Sequence, residues 1–271
     1  MKNNIIKFPS WALLIIGFSW IIVGCAEVSV DPFDNVTINN YVATEPCAFR
    51  VTASGSSKLR LVGINGNVTI EGSAQLDSVI IVCEKRVGSD SVEDAQQHLN
   101  ELDVTVQNLN NEIFVKTVQP ENSNGRSYVI DYSVTVPINY KIEIELITGK
   151  LEIEKIENEI IASTVNGNII TDEIFSSTYL AVVNGSISSK QILPAGGTIS
   201  LATINGNINL QIPRSTSAQF SAEVVNGQIS TTNLIFDNLS VSARSQSGRL
   251  GNGQGTIALS TVNGNISAKG F

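Results

Sequence analysis

Between residues 140 and 146 the chain reads YKIEIEL, with Ile142, Ile144 and Leu146 on one parity and Glu143 and Glu145 on the other. Side chains alternate across a strand, so this run predicts a strand with one buried face and one wet face. The pattern then recurs to the end of the chain. Alternating residues lead into a glycine step, at Thr148-Gly149, Asn166-Gly167, Asn184-Gly185, Asn205-Gly206, Asn226-Gly227, Ser247-Gly248 and Asn263-Gly264. The intervals are 18, 18, 21, 21, 21 and 16 residues. A period near 20 predicts stacked coils, because one coil cannot bury its own apolar face and shares it with its neighbours.

Alignment on the residue before each glycine brings out two apolar columns. Four places before it lie Ile144, Ala162, Leu180, Leu201, Ala222, Ala243 and Leu259; three places after it lie Leu151, Ile169, Ile187, Ile208, Ile229, Leu250 and Ile266. In stacked coils each column becomes a continuous stripe with a repeat of about 4.8 Å. Asn-Gly in isolation signals a hairpin, but an up-and-down sheet puts successive turns at alternating ends and has no need of the same flanking residues at each. The expected fold is therefore all-β: a single-chain parallel β-solenoid, right-handed as parallel crossovers nearly always are. In its turn corner Asn166, Asn184, Asn205, Asn226 and Asn263 would form an amide ladder of the kind that stacked sheets build, interrupted by Thr148 and Ser247.

The earlier half repeats less regularly. Leu59 to Ile70, with Asn65-Gly66 inside it, reads as one more coil separated in sequence from the rest, and strands are expected at Asp77–Lys85, Leu102–Val106, Glu112–Val118 and Tyr128–Val136. Ser91 to Leu102 changes period: Val92, Ala95, Leu99 and Leu102 make one stripe on a helix, with Ser91 as N-cap and Glu93 and Asp94 in the first turn. This helix is the expected cap of one solenoid end. At the other, Phe271 is expected to fold over a final coil.

The start of the chain belongs to no fold. Lys2 and Lys7 precede an apolar run from Trp11 to Val23, about 13 residues against the roughly 20 that span a bilayer, so 1–24 reads as a signal peptide. Its end, Ile22-Val23-Gly24-Cys25, resembles the bacterial lipobox, which implies a diacylglycerol on Cys25 and anchorage to a membrane. Ala26 and Glu27 follow, with no Asp directly after the cysteine, and by resemblance to lipoprotein sorting this favours the outer membrane. Residues 25–35 read as a tether and 36–271 as the solenoid domain, irregular over 36–140 and regular over 141–271.

Without the two signal-peptide lysines the chain carries 15 basic and 25 acidic residues, a formal charge of −10. Such a surface repels nucleic acid and anionic headgroups. Cys47 and Cys83 either bridge, in a compartment where disulfides form, or stay as two separate buried thiols. No metal site is expected, since a closed tetrahedral zinc site needs four ligands at short paired spacings and the chain has one His. No cofactor motif is present: no glycine pattern has the strand-to-helix context that phosphates need.

Reactive groups do not cluster. From Ile161 to Phe271 the acids are Asp172, Glu173, Glu223 and Asp237, at different repeat positions. The densest group, Glu143, Glu145, Glu152, Glu154, Glu157 and Glu159, reads as the solvated face of two strands and a loop. His98 reads as a lone surface histidine. The serines lack a nearby base or a nucleophile elbow. What remains is a neutral ridge of Ser, Thr and Asn with the capacity to hydrogen-bond a glycan or a protein.

The Asn65 turn followed by a strand and the helix opening Ser91-Val92-Glu93-Asp94-Ala95, the tyrosine strand ending in Val136-Pro137, and the Asn-Gly-Asn-Ile repeats together resemble the bacterial "putative adhesin" family of unknown function, related to head-GIN-type lipoprotein domains. The resemblance covers about residues 36–271. It implies a parallel β-solenoid in the cell envelope and supplies no catalytic residue. Ser247-Gly248-Arg249, the short last interval and Gly251–Gly255 depart from the pattern. The expected function is a non-catalytic, lipid-anchored envelope protein that contacts envelope proteins or glycans. An envelope-stress regulatory module is the alternative, and a polysaccharide-active β-helix enzyme a lesser one.

Overall fold

A computed structural model describes residues 39–271 apart from 54, 56 and 110. The expected signal peptide, Cys25 and the expected tether lie outside the described residues. The described chain is all-β with one short helix and two large, mostly parallel sheets. In the ten-stranded sheet the order is β1 (Tyr41–Thr52), β4 (Ser78–Ser89), β7 (Ser127–Pro137), β3 (Val68–Ser73), β9 (Leu151–Ile156), β11 (Ile169–Ile174), β13 (Ile187–Gln191), β15 (Ile208–Ile212), β21 (Ile266–Gly270) and β17 (Ile229–Thr232). In the eleven-stranded sheet it is β18 (Phe236–Val241), β19 (Ser245–Leu250), β16 (Ala218–Asn226), β20 (Gly255–Asn263), β14 (Thr198–Asn205), β12 (Thr178–Asn184), β10 (Ile160–Asn166), β8 (Lys141–Thr148), β2 (Lys58–Val62), β6 (Glu112–Val118) and β5 (Asp103–Leu109).

From β8 to β17 consecutive strands belong to alternate sheets, and each pairs in parallel with a strand of the coil beside it. Inward residues are mostly aliphatic, with buried threonines such as Thr164, Thr203 and Thr261 among them, so the core lies between the sheets: Leu180, Leu201, Ile187 and Ile208 have no solvent exposure. The register places Leu61, Ile144, Ala162, Leu180, Leu201, Leu259 and Ala222 side by side in one column. Val68, Leu151, Ile169, Ile187, Ile208, Ile266 and Ile229 form the other. The coil of β2 and β3 thus sits against β8 and β9, although some 70 residues intervene between Ser73 and Leu146.

The order of the last coils departs from the sequence reading. The strands β20 and β21 insert between β14/β15 and β16/β17, so the C-terminal coil is internal and Phe271 does not close an end. Ser247-Gly248 is no turn. It lies within β19, which runs antiparallel to β16 and carries Ser247 opposite Ser221. Ala243 is exposed in the adjoining hairpin and leaves its column, while Leu250 is buried against Ala218 and Phe236. A glycine two residues from buried Gln246 mimicked a turn step; strand pairing overrode it.

Antiparallel pairs finish both sheets at one end, β1 with β4, β4 with β7 and β5 with β6; at the other they finish the eleven-stranded sheet alone, β16 with β19 and β19 with β18, while the ten-stranded sheet ends on the parallel pair β21 and β17. The helix α1 (Val92–His98) runs into a 3-10 turn at Leu99–Glu101 and is capped by Ser91, whose hydroxyl accepts from the Asp94 amide at 3.1 Å. It packs against β1 and β4 at the first of these ends. Cys47 and Cys83 face each other across β1 and β4 and are joined by a disulfide.

Candidate functional site: the turn corner and the outer sheet face

Every coil passes from the eleven-stranded to the ten-stranded sheet through one corner. There the glycine is required by close approach of backbones. A Cβ on Gly167 would lie 1.8 Å from the Gly149 carbonyl oxygen, on Gly185 1.9 Å from that of Gly167, and on Gly206 1.9 Å from that of Gly185. The same amides do the stacking: Gly167 N donates to Asn184 O at 3.0 Å and Gly185 N to Asn205 O at 2.9 Å.

The asparagine side chains before these glycines are exposed and bonded in series. Asn184 Nδ2 donates to Asn166 Oδ1 (2.9 Å), Asn205 to Asn184 (2.8 Å), Asn263 to Asn205 (2.8 Å) and Asn226 to Asn263 (2.8 Å). Asn263 stands between Asn205 and Asn226, as the coil order requires. Thr148 aligns beside Asn166, and Asn65 bridges to Thr148 on its far side.

A second ladder, which the sequence reading missed, runs two residues further on. The side-chain oxygens of Asn168, Ser186, Asn207 and Asn265 accept from the backbone amides of Ser186, Asn207, Asn265 and Gln228 at 2.8 to 3.2 Å. Asn67 likewise accepts from the Lys150 amide at 3.0 Å. The second asparagine of each Asn-Gly-Asn triplet was the available signal. An acceptor that recurs where a turn leaves amides free is a repeat feature in its own right.

Beside the ladder, on the eleven-stranded sheet, lie Ile147, Val165, Val183, Ile204, Val262 and Val225, all half-exposed. They face out because their neighbours Leu146, Val182 and Val224 are in the core. The outward positions behind them are Ser163, Ala181, Ala202 and Ser260, then Ile161, Tyr179, Ser200 and Ala258. From Glu145 on β8 to Glu223 on β16, four successive strands therefore present an outer face with no charged residue. The ten-stranded sheet is different: its outward positions include Glu152, Glu154, Asp172, Lys190 and Lys269.

The acidic group is divided between the two sheets and the loop after β9, and Glu143, Glu145, Glu152 and Glu159 are each paired with a cation. Lys58 Nζ lies 2.8 Å from Glu112 and 2.7 Å from Glu143; Lys141 reaches Glu159 at 2.6 Å and Glu143 at 3.3 Å. Arg60 meets Glu145 at 3.1 Å, and Lys150 meets Glu152. Burial opposes ionisation of Glu143, yet the two ammonium groups outweigh it and hold its carboxyl below the usual range. Acids already paired with lysine are poor general acids and poor cation ligands. No group of three or more metal-ligating side chains occurs among the described residues.

His98 is not a lone surface residue. Its ring stands between Asp94 (3.5 Å) and Glu101 (3.0 Å), with Arg126 on Asp94 through two contacts of 2.6 Å and the Tyr128 hydroxyl donating to Glu101 at 2.9 Å. The Arg126 guanidinium holds the Asp94 carboxyl well below the usual carboxylate range, and His98 with Tyr128 lowers that of Glu101. The Asp94–Arg126 and Glu101–Tyr128 bonds fasten α1 and its 3-10 turn to the start of β7. A cleft of about 560 Å³ lined by Glu71, Gln75, Lys155, Glu173 and Phe175 is spanned by the Glu71–Lys155 ion pair.

No family model matches the sequence, and no curated protein does either. Among solved structures the chain is similar to a "putative cell adhesion protein" from Clostridium sporogenes, at 14% identity and TM-score 0.47, over 84% of this chain and 100% of that one. It is similar also to a "putative adhesin" from Bacteroides fragilis (11%, 0.38, 84% and 97%) and a "putative lipid binding protein" from Parabacteroides distasonis (10%, 0.29, 84% and 95%). Likeness at this level carries neither an activity nor a ligand over to this chain.

Proposed function

We propose that this chain is a non-catalytic, lipid-anchored protein of the cell envelope that holds another macromolecule against its uncharged sheet face. In this reading residues 1–24 are a signal peptide, Cys25 carries the lipid, 25–35 is a tether and 36–271 a right-handed β-solenoid. The alternation of strands between two parallel-paired sheets supports the solenoid. The observation that carries the function is the outer face of β10, β12, β14 and β20. A protein with formal charge −8 that keeps four neighbouring strands free of charge, on one face and in register, has an aliphatic and amide surface suited to a glycan or an envelope protein. An outer face that served solubility alone would be mixed in charge.

The test presents the full chain to a glycan array and to envelope extract. Replacement of the half-exposed Val183 and Ile204 by aspartate is expected to reduce capture at least roughly tenfold with the melting temperature unchanged. Absence of any captured partner across salt and pH conditions, or capture indifferent to both substitutions, contradicts the reading. Cys25→Ala is expected to shift the chain from the membrane to the soluble fraction.

A further inference from the structure

We propose that the end of the molecule at β17 and β18 is a dimer interface, at which two copies lap their sheets across a two-fold axis. The strands β16 and β17 belong to one coil, joined through Asn226-Gly227. Beyond that coil the two sheets stop at different places. One ends at β17, while the other continues through β19 and β18. The overhang is two strands, about 10 Å at the usual interstrand spacing.

The inner face of the overhang begins as core. Leu250 on β19 is buried, Gln246 Nε2 donates to Thr231 Oγ1 at 2.7 Å, and the Phe236 ring packs edge-on against Phe220 at 5.2 Å. Further out no described residue covers it. On that face Leu239 is 48% and Val241 67% exposed, whereas Ile235, between the core-packed Leu234 and Phe236, is 84% exposed on the other side. Ile235 and Val241 are the two most exposed large hydrophobic residues described.

The occupant that fits is a second copy. A two-fold rotation about the strand direction exchanges the layers, so the partner's overhang enters the recess beside β17 and this copy's overhang enters the partner's. Overhang and recess are equally deep, which makes the step self-complementary and the assembly closed. Charge permits it: β17 reads Ile-Ser-Thr-Thr and has none, although open edges are commonly guarded by lysine. Asp237 on β18 is neutralised by Arg249 at 3.1 Å. Open-ended stacking is disfavoured, because the opposite end carries different strands, β1 and β5. The joint would cover Leu239 and Val241 in both copies.

Sedimentation equilibrium of the lipidated protein, in detergent matched to the solvent density, is expected to give twice the mass of the monomer. Val241→Asp is expected to raise the dissociation constant at least tenfold. Leu239→Asp, at a side chain half in solvent, is expected to do the same, and Ser188→Asp on the middle of the other sheet to change nothing. Cysteines placed at Thr232 and Ser240 are expected to oxidise to a covalent dimer. A monomer at every concentration, a dimer unmoved by both aspartates, or open-ended polymers would overturn the proposal.

Discussion

Gly185 shows how little room a stacked corner leaves: a methyl group there would sit 1.9 Å from the Gly167 carbonyl oxygen at φ 144°. The coils must separate to admit it, which breaks the hydrogen bonds beside it. Gly185→Ala is expected to cost about 2–4 kcal/mol in urea unfolding, whereas Gly196→Ala, at φ 74° with open space around it, is expected to cost about 1 kcal/mol from backbone conformation alone. Asn205 both donates to Asn184 and accepts from Asn263. Aspartate at 205 loses the donor and sets its charge against Asn184 Oδ1, an expected loss of about 1–2 kcal/mol. A protonated carboxyl donates again, so unfolding curves of N205D should approach those of the parent on acidification. These two positions were legible in the sequence because a repeat shows which residue type a site demands. His98 and Asp94 were not, since their meeting with Arg126 depends on β7 returning beside β4.

The elements at the first end are held by bonds rather than by repetition. The Cys47–Cys83 bridge ties β1 to β4 across 36 residues and, on chain entropy, stabilises the fold by about 4 kcal/mol; reduction is expected to lower the melting temperature and to release β1 before the parallel strands, as read by hydrogen exchange. Asp94 and Glu101 are both held below their ordinary pKa, by Arg126 and by His98 respectively. For a carboxylate depressed in the folded state, stability is present above the unfolded pKa near 4 and is lost as pH falls through the folded value. The melting temperature should therefore be flat above about pH 5 and fall below pH 4, with a shallower fall in Arg126→Ala. Tyr132 acts at the other limit. Burial, against the Thr117 hydrogen bond, pushes its hydroxyl up to about 12, so its contribution is complete below pH 10 and lost as pH rises toward 12. The helix itself was readable from Ser91 and the Val92, Ala95, Leu99, Leu102 stripe, because caps and periodicity are local; it tightens to a 3-10 turn at Leu99, three residues short of the expected end.

For the whole molecule, composition of the columns and order of the coils are separate matters. Leu201 sits equally well beside Ala222 or Leu259, since both are apolar and both precede an Asn-Gly step by four residues. The sequence therefore shows that coils stack and is silent on which coil is whose neighbour. The antiparallel hairpin from Phe236 to Leu250 decides it: it occupies the flank of β16 away from β20, leaving the C-terminal coil to enter between β14 and β16. The face proposed for binding depends on this order, because the insertion is what sets the uncharged Ala258, Ser260 and Val262 beside β14 and moves Glu223 to the margin. Neighbouring parallel strands lie near 4.8 Å, within disulfide reach, and second neighbours near 9.6 Å, beyond it. The decisive measurement is oxidative cross-linking of paired cysteines along one column: Ala202 with Ser260, which are register partners, against Ala202 with Glu223, which successive stacking would make partners. The account predicts rapid closure of the first pair and none of the second. Closure of the second pair in place of the first would contradict it.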